Sequence, residues 1–112
     1  MECIFCRIVA KEIPTEVVYE DDEFLAFRDI QPQAPTHLII IPKSHIPSIL
    51  ELKSEQEGLI GRLILVAKEL AEREGVASGF RLAASCGEQG GQLVPHLHFH
   101  LLGGRKLSDW LG

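Results

Sequence analysis

His96, His98 and His100 alternate with apolar residues near the end of the chain. In an extended strand, side chains two residues apart point to the same face and lie about 6–7 Å apart. The three imidazoles would therefore share one face, and the apolar residues between them would share the other, where a core can bury them. A single alternating histidine is typical of a solvated strand face. Three of them opposite an apolar face predict a strand over His96–Leu102 that carries a chemical site.

One long segment in the second half of the chain has the periodicity of an amphipathic helix. Apolar residues recur at helical intervals over residues 59–70, which predicts one apolar face. Ser54 precedes this segment with Glu57 three residues further on, the spacing of a capping box, and Gly75 follows it as a natural stop. A shorter helical turn, interrupted by a proline, is predicted within residues 44–52.

Short strand candidates lie on both sides of this helix. Four strands besides the histidine strand are predicted from apolar and β-branched runs that end in turns or at a proline: Glu16–Tyr19, Glu23–Arg28, His37–Ile41 and Phe80–Ser85. This order favours an α+β fold, an antiparallel five-stranded sheet with one long helix packed on one face and a second, short helix. The 112 residues have room for one core, so we expect a single domain over residues 1–112.

Composition narrows the classes of partner. The 11 basic and 16 acidic residues give a net charge of −5, which argues against a nucleic-acid-binding surface. No apolar run approaches the ~18 residues of a membrane span, and the N-terminus lacks the basic and apolar pattern of a signal peptide. Three cysteines in a chain of this kind indicate a reducing compartment. We therefore expect a cytoplasmic protein that binds neither nucleic acid nor membranes.

Cys3 and Cys6 form a C-x-x-C motif at the start of the chain. A redox pair is expected at the N-terminus of a helix that follows a strand, and only two residues precede this motif. Zinc fits better, and a structural zinc site needs four nitrogen or sulfur ligands in a tetrahedral array. Because Cys86 stands alone, two histidines would complete the site, and His45 and His96 are the candidates. The alternative is a pair of small buried side chains.

The motifs together resemble the histidine triad (HIT) family. Its hallmark is three histidines that alternate with apolar residues, followed by two apolar residues, and His96–Leu102 matches it. The chain is similar in particular to the nucleoside phosphoramidase (Hint) branch, along essentially its whole length. The other segments that carry the resemblance are Phe27–Ile30, Gln33–His37, Ile41–His45, Gly90–Gln92 and Leu102–Arg105.

The resemblance implies an activity and its residues. Members of the family are homodimers whose sheets join; they bind purine nucleotides and hydrolyse them at the α-phosphate through a nucleotidyl-histidine intermediate. By position, His98 would be the nucleophile, since a neutral imidazole is nucleophilic near pH 7 when its second nitrogen keeps its proton. His100 would bind a phosphate oxygen or protonate the leaving group, and His37 would be the auxiliary histidine that faces the triad. The implied substrate is an AMP–amine conjugate.

The same resemblance implies a nucleotide pocket and a metal site. Asp29 would accept hydrogen bonds from the ribose hydroxyls, although taken alone it also fits a turn before Gln31. The remaining nucleotide-binding positions, each of which also fits plain core or loop, are Ile4, Phe5, Phe27, Ile30, Ser85, Gly91 and Gln92. Zinc-bearing bacterial members have the same cysteine pair, and the ligands that match theirs are Cys3, Cys6, His45 and His96. A zinc ion (Zn²⁺) held there would brace the segment that carries the nucleophile.

Two positions depart from the branch pattern. Ser85 stands where asparagine is usual, and Leu93 stands where serine or threonine is common. Leucine cannot donate to a phosphate oxygen, so the departures bear on phosphate affinity and on the choice of leaving group. Trp110 in the tail either reaches the partner's active site or covers the dimer seam.

Three other functions fit parts of the pattern. A sister branch hydrolyses dinucleoside polyphosphates, but the Gly103–Arg105 segment favours the phosphoramidase branch, because the sister branch typically has proline there. A non-catalytic, zinc-stabilised nucleotide-binding module would use His98 only as a phosphate ligand. A catalytic metal site on the triad itself would lack a carboxylate in the same strand.

Overall fold

The computed structural model describes residues 3–112, so the first two residues of the expected domain lie outside the described part. Two α-helices and five β-strands are present, in the order α1 (Ile4–Val9), β1 (Val17–Glu20), β2 (Phe24–Arg28), β3 (Thr36–Pro42), α2 (Glu57–Arg73), β4 (Phe80–Ala83) and β5 (Phe99–Gly103). Two 3-10 turns, Ile49–Glu51 and Ser54–Gln56, lie between β3 and α2.

The five strands form one sheet in the order β1-β2-β3-β5-β4, and all neighbours are antiparallel. The predicted α+β fold is therefore confirmed. The central strand β3 is buried along its whole length, and it pairs with β5 so that Ile39 lies opposite His100. This register brings residues of β2, β3 and β5 to one site.

The two faces of the sheet are covered by different helices. The apolar face of α2 packs on one side, against a cluster that includes Phe24, Leu38, Ile40 and Leu101. The short helix α1 packs on the other side, where Phe5 and Ile8 contact Leu25, Phe27, Ile39 and Ile41. Since alternate residues of a strand point to opposite faces, β3 supplies both layers. The candidate site lies on the α1 side.

Helix α1 was not expected from the sequence. It has six residues, too few for a helical period to stand out. Cys3 is its N-cap, and the Cys3 Sγ accepts a hydrogen bond from the Cys6 N–H at 3.4 Å. The C-x-x-C motif therefore lies at the start of a helix, with no strand before it in the described residues.

Helix α2 begins differently from the prediction and ends as predicted. Ser54 is not its cap: residues 54–56 form a 3-10 turn that leads into α2, and the Lys53 N–H at its start donates to Gln56 Oε1 at 2.8 Å. Gly75 has a φ of 74°, a left-handed conformation that ends the helix. The shorter turn predicted within residues 44–52 is the 3-10 turn at Ile49–Glu51. Across residues 3–112, the helices are too short or too polar to cross a membrane.

The strand bounds differ at the site. β4 ends at Ala83, two residues before the predicted end at Ser85. β5 begins at Phe99, three residues later than predicted. His96 and His98 therefore precede the strand, in a segment whose Leu97 N–H donates to the Ile46 carbonyl at 2.6 Å.

Candidate active site

All three triad histidines lie on the α1 side of the sheet, although only His100 belongs to β5. The Phe5 ring packs edge-on against the His96 ring at 5.9 Å and against the His98 ring at 5.1 Å, measured between centroids. The His98 and His100 rings are 5.1 Å apart. The predicted common face is present, and Phe5 of α1 covers part of it.

The His98 ring is held by the backbone of its own segment. His98 Nδ1 lies 2.7 Å from the His96 carbonyl oxygen, and because a carbonyl only accepts, Nδ1 carries the ring proton. In the neutral ring, Nε2 then holds a free lone pair. Within residues 3–112, every buried side-chain nitrogen or oxygen has a partner, so Nε2, which has none there, is open to solvent. The arrangement presents a nucleophilic nitrogen.

His37 and His100 form the second part of the site. The Gln33 N–H donates to His37 Nδ1 at 3.0 Å, which places the ring proton of a neutral His37 on Nε2. His37 Nε2 lies 2.9 Å from His100 Nδ1, so His37 donates to His100. The proton of a neutral His100 is then on Nε2. His98 thus offers a lone pair, and its neighbour His100 offers an N–H.

Burial keeps this histidine pair neutral. It lowers the pKa of His37 below its ordinary value, and the Asp29 carboxylate only partly opposes that shift. Burial, together with the nearby His98 and His37 rings, lowers the pKa of His100 to about 4. Both rings are therefore uncharged near pH 7, the state in which the donor order above applies.

Asp29 lies between the histidines and the loop that follows β2. Its Oδ2 is 3.4 Å from His37 Nε2, and its Oδ1 accepts from the Gln31 N–H at 2.8 Å. The turn expected for this aspartate is present, and the same carboxylate reaches the site. Asp29, His37 and His100 also have the composition of a metal site. A metal on His37 Nε2 would require the ring proton on Nδ1, towards which the Gln33 N–H already points.

A cleft of about 240 Å³ opens beside these residues. Its lining is Phe5, Asp29, Ile39, Ser85, Gly91, Leu93, Val94, His98 and His100. Six of the residues predicted from the sequence therefore meet there, together with Leu93, which departs from the family pattern. Ile39 and Val94 were not predicted; Ile39 had a signal, because it lies two residues after His37 in the same strand.

Four predicted nucleotide-binding residues do not line the cleft. Phe27 is buried behind Phe5, with the two rings 5.7 Å apart. Ile4 and Ile30 are 49% and 90% exposed. The Gln92 amide is committed to the backbone: it accepts from the Gly87 N–H at 2.9 Å and donates to the Pro47 and Val94 carbonyls at 2.7 and 2.9 Å. Gln92 therefore shapes the glycine loop.

The glycine loop at residues 87–92 needs its small residues. A Cβ at position 90 would lie 2.3 Å from the Cys86 carbonyl oxygen, and Gly91 has a φ of 87°. Tightly turned backbone thus borders the cleft beside Ser85. The N–H groups of residues 87, 90, 91 and 92 already donate within the loop, so a phosphate there would meet the compact backbone and the Ser85 hydroxyl.

Besides His37, His98 and His100, a second cluster of side chains consists of Cys3, Cys6, His45 and His96. The sulfur of Cys3 is 3.3 Å from His96 Nδ1, and the sulfur of Cys6 is 3.3 Å from His45 Nδ1. The two Nδ1 atoms are 3.2 Å apart. Tetrahedral zinc with bonds of about 2.3 Å to sulfur and about 2.0–2.1 Å to nitrogen would separate its ligands by about 3.3–3.8 Å. The four side chains therefore could hold a metal ion.

The protonation states suit that role. His96 is fully buried, and its Nε2 donates to the Pro42 carbonyl at 2.8 Å, so Nδ1 keeps its lone pair for a metal. Burial also lowers the pKa of His96, which favours the neutral, ligating form. Burial, and then the neighbouring Cys3, raises the pKa of the Cys6 thiol, a cost that a bound cation would reverse. All three cysteines of the chain are free thiols.

Comparison with known proteins agrees with this geometry. A family profile described as "scavenger mRNA decapping enzyme C-term binding" matches residues 2–112. A crystal structure of a HIT family hydrolase from Legionella pneumophila superposes with a TM-score of 0.97 at 48% identity, over 99% of this chain and 100% of that one. The chain belongs to the histidine triad (HIT) family. A histidine triad protein from Clostridium difficile superposes with a TM-score of 0.94 at 41% identity, over 98% of this chain and 96% of that one.

Curated HIT relatives match along almost the whole chain. The purine nucleoside phosphoramidase of Escherichia coli K12 is 50% identical over 111 residues, which is 98% of this chain and 93% of that protein. A HIT-like protein of Synechococcus elongatus is 50% identical over 107 residues, 96% of this chain and 94% of that protein. These similarities place the chain within a family of hydrolases.

Proposed function

We propose that this HIT-family chain is a hydrolase that cleaves purine nucleoside phosphoramidates at the α-phosphate, through a nucleotidyl intermediate on His98. The observation that carries the proposal is the hydrogen bond from His98 Nδ1 to the His96 carbonyl, 2.7 Å long. It leaves the Nε2 lone pair at a cleft that also contains Asp29 and His100. The 50% identity to the E. coli purine nucleoside phosphoramidase supports the substrate class.

The reaction takes two steps. His98 Nε2 attacks the α-phosphorus, the new P–N bond forms, and the bond to the amine breaks with its electron pair on the leaving nitrogen. That nitrogen takes a proton from solvent and departs as a neutral amine. Water then attacks the phosphorus and releases a proton to solvent, and the His98–phosphorus bond breaks with its electron pair returning to Nε2. The products are AMP and the amine, and the ring regains its starting tautomer.

His100 fits the position of a donor in both steps. Its Nε2–H lies on the ring next to the nucleophile, and a neutral donor suits a phosphate oxygen or the departing nitrogen. His37 keeps that proton on Nε2 of His100 by donating to Nδ1. His98 therefore acts as nucleophile, His100 as donor and His37 as the residue that sets its orientation.

The cleft walls suit the parts of a nucleotide. A carboxylate such as Asp29 can accept hydrogen bonds from two neighbouring ribose hydroxyls. Ser85 and the Gly91 backbone are small and polar enough to lie beside a phosphate. Phe5 and Ile39 offer an apolar wall for a base. Ile4, Phe27, Ile30 and Gln92 remain predicted contributors to the pocket from outside the cleft lining.

We also propose that the second cluster binds structural zinc through Cys3, Cys6, His45 and His96. Sulfur and nitrogen donors at near-tetrahedral separations are the set that zinc prefers. Such an ion would tie α1 to the segment that carries His96. It would supply stability to the site and no reacting group.

The homodimer and the cytoplasmic location complete the proposal. Strand β4 is one edge of the sheet, where a second sheet could pair with it. Phe80 of that strand and the tail residues Trp110 and Leu111 are apolar and exposed, by 40%, 83% and 84%. A partner protomer is the occupant that fits them. Free cysteines at a metal site are consistent with a reducing compartment.

The decisive experiment is intact mass spectrometry of wild-type and His98→Asn protein after brief mixing with an adenosine phosphoramidate. The quench avoids acid, because phosphohistidine bonds are acid-labile. An AMP-sized adduct on the wild type alone, with release of the amine, is the expected result. Absence of both adduct and amine, with AMP still bound, would favour the binding module instead. An adduct formed from a dinucleoside polyphosphate and not from the phosphoramidate would favour the sister-branch activity.

A further inference from the structure

We propose that Gly104 and Arg105, which directly follow β5, act as a clamp that fixes the tautomer of the His37–His100 pair. The inference rests on the proposed function, because it concerns the donor of the same site. Arg105 Nη2 donates to the Gln33 carbonyl at 2.7 Å. The N–H of the same Gln33 donates to His37 Nδ1 at 3.0 Å. Arg105 therefore holds one of the two residues that bias the position of the His37 proton; the other is Asp29, whose carboxylate lies 3.4 Å from His37 Nε2.

The direction of this hydrogen bond determines what His100 can offer. With the Gln33 N–H in place, His37 donates from Nε2 to His100 Nδ1, and His100 keeps its proton on Nε2. Without that N–H, His37 can hold its proton on Nδ1 and accept at Nε2 from a proton on His100 Nδ1. His100 Nε2 would then present a lone pair, which repels a phosphate oxygen and cannot protonate an amine.

A few other contacts hold the loop that carries Gln33. Residues 31–33 are all exposed, but the Asp29 N–H donates to the His37 carbonyl at 3.0 Å, the Asp29 Oδ1 accepts from the Gln31 N–H at 2.8 Å, and Ala34 is buried. Each backbone group of Gln33 has one partner: the N–H faces inward to His37, and the carbonyl faces outward to Arg105. A hydrogen bond on the outer side therefore fixes the orientation of the inner one.

The backbone next to Arg105 is built for close approach to this loop. Gly104 has a φ of 96°, and a Cβ at this position would lie 2.9 Å from Pro35 Cβ. Both facts restrict position 104 to glycine. Gly104 thus lies against Pro35, and Arg105 donates to Gln33 of the same loop. Both contacts come from consecutive residues and act on the same loop.

The test compares Arg105→Ala with Arg105→Lys and with Lys106→Ala, all in the full chain. Lys106→Ala is the matched control, because it removes the neighbouring positive charge without removing the donor to Gln33. The readouts are the ¹⁵N chemical shifts of the imidazole nitrogens of His37 and His100, and kcat and KM for an adenosine phosphoramidate. Thermal unfolding verifies that each variant is folded, since exposed substitutions of this kind typically change stability little.

The wild type is expected to show His37 protonated at Nε2 and unprotonated at Nδ1. Arg105→Ala should move both His37 shifts towards the opposite tautomer and lower kcat about tenfold, a fraction of what a general acid contributes, with KM little changed. Arg105→Lys should restore most of both, since an ammonium can also donate to a carbonyl. Unchanged shifts in Arg105→Ala, or an equal effect of Lys106→Ala, would overturn the clamp. If the wild type does not turn over the phosphoramidate, the proposed function fails, while the ¹⁵N comparison still decides the clamp.

Discussion

Two histidines that are two residues apart have opposite tautomers, and their surroundings explain why. His96 donates from Nε2 to the Pro42 carbonyl, which leaves Nδ1 for the cysteine cluster. His98 donates from Nδ1 to the His96 carbonyl, which leaves Nε2 for the cleft. Each ring donates a hydrogen bond to a backbone oxygen, and its other nitrogen keeps a free lone pair. Main-chain carbonyls, more than the sequence motif, therefore decide which ring nitrogen of each histidine is left unprotonated.

The largest expected effect is the loss of turnover when His98, the proposed nucleophile, is replaced. His98→Asn is expected to lower turnover at least about 10⁴-fold, because no other side chain of the cleft offers an unprotonated ring nitrogen beside His100. AMP binding and metal content should stay near wild-type values. Steady-state kinetics and AMP titration measure the effect. Turnover within tenfold of the wild type would remove His98 from the role of nucleophile.

Removal of the cysteine pair should instead act first on the metal content and on the stability of the fold. Cys3→Ser with Cys6→Ser should release zinc and lower the free energy of unfolding by about 3 kcal/mol or more, roughly 10 °C in Tm. Cys86→Ser is the matched control, since this cysteine lies outside the cluster and should change little. Metal analysis and calorimetry give the readout. A wild type purified without zinc under reducing conditions would contradict the four-ligand site.

Removal of the Asp29 carboxylate should lower the affinity of the cleft for ribonucleotides. Asp29→Ala should weaken a ribonucleotide about tenfold, ~1.4 kcal/mol, because two hydroxyls lose their acceptor. A 2′,3′-dideoxy analogue should lose much less. The exposed Asp22→Ala serves as a control for charge alone. Isothermal titration of both ligands measures the difference, and equal losses would mean that Asp29 matters only for its turn.

A pH dependence of stability is also expected, and it arises from the cleft. The pKa of His100 falls from an ordinary 6.5 to about 4 in the folded chain, so between these values the unfolded chain binds more protons than the folded one. Stability contributed by the neutral ring is present above about pH 6.5 and is lost as pH falls towards 4. Urea unfolding at pH 7 and pH 5 should show this loss in the wild type and less of it in His100→Asn. An identical pH dependence in both proteins would contradict the assignment.

The sequence predicted β2 and β3 well because each is an apolar run bounded by a turn or a proline. β3 and β2 differ from their predicted bounds by one residue at most at each end. α1 was missed because its apolar residues serve a helix of six residues, a length at which periodicity carries no information. The start of β5 was wrong because the alternation of histidines continues through residues 96–98, where the chain leaves the ladder to reach Ile46.

The chemistry of the site was less predictable than its composition. The residue types of both clusters could be named from the sequence, since spacing and family resemblance identify them. Their donor order could not, because it depends on backbone groups: the His96 carbonyl for His98 and the Gln33 N–H for His37. The identity of a side chain does not indicate which backbone groups will face it in the fold. Gln92 was predicted among the nucleotide-binding residues, and the three backbone groups that hold its amide could not be read from the sequence either.

Because His98 donates to the His96 carbonyl, position 96 is under two different constraints. One concerns its backbone and the other its side chain. The proposed nucleophile depends on a main-chain oxygen, which every amino acid has, and only the proposed zinc site needs an imidazole there. In a lineage that lost the cysteine pair, residue 96 would be free to drift while the reaction persisted, so long as the backbone path was kept. Exchanges at the first triad position should therefore accompany loss of the cysteines and not loss of activity.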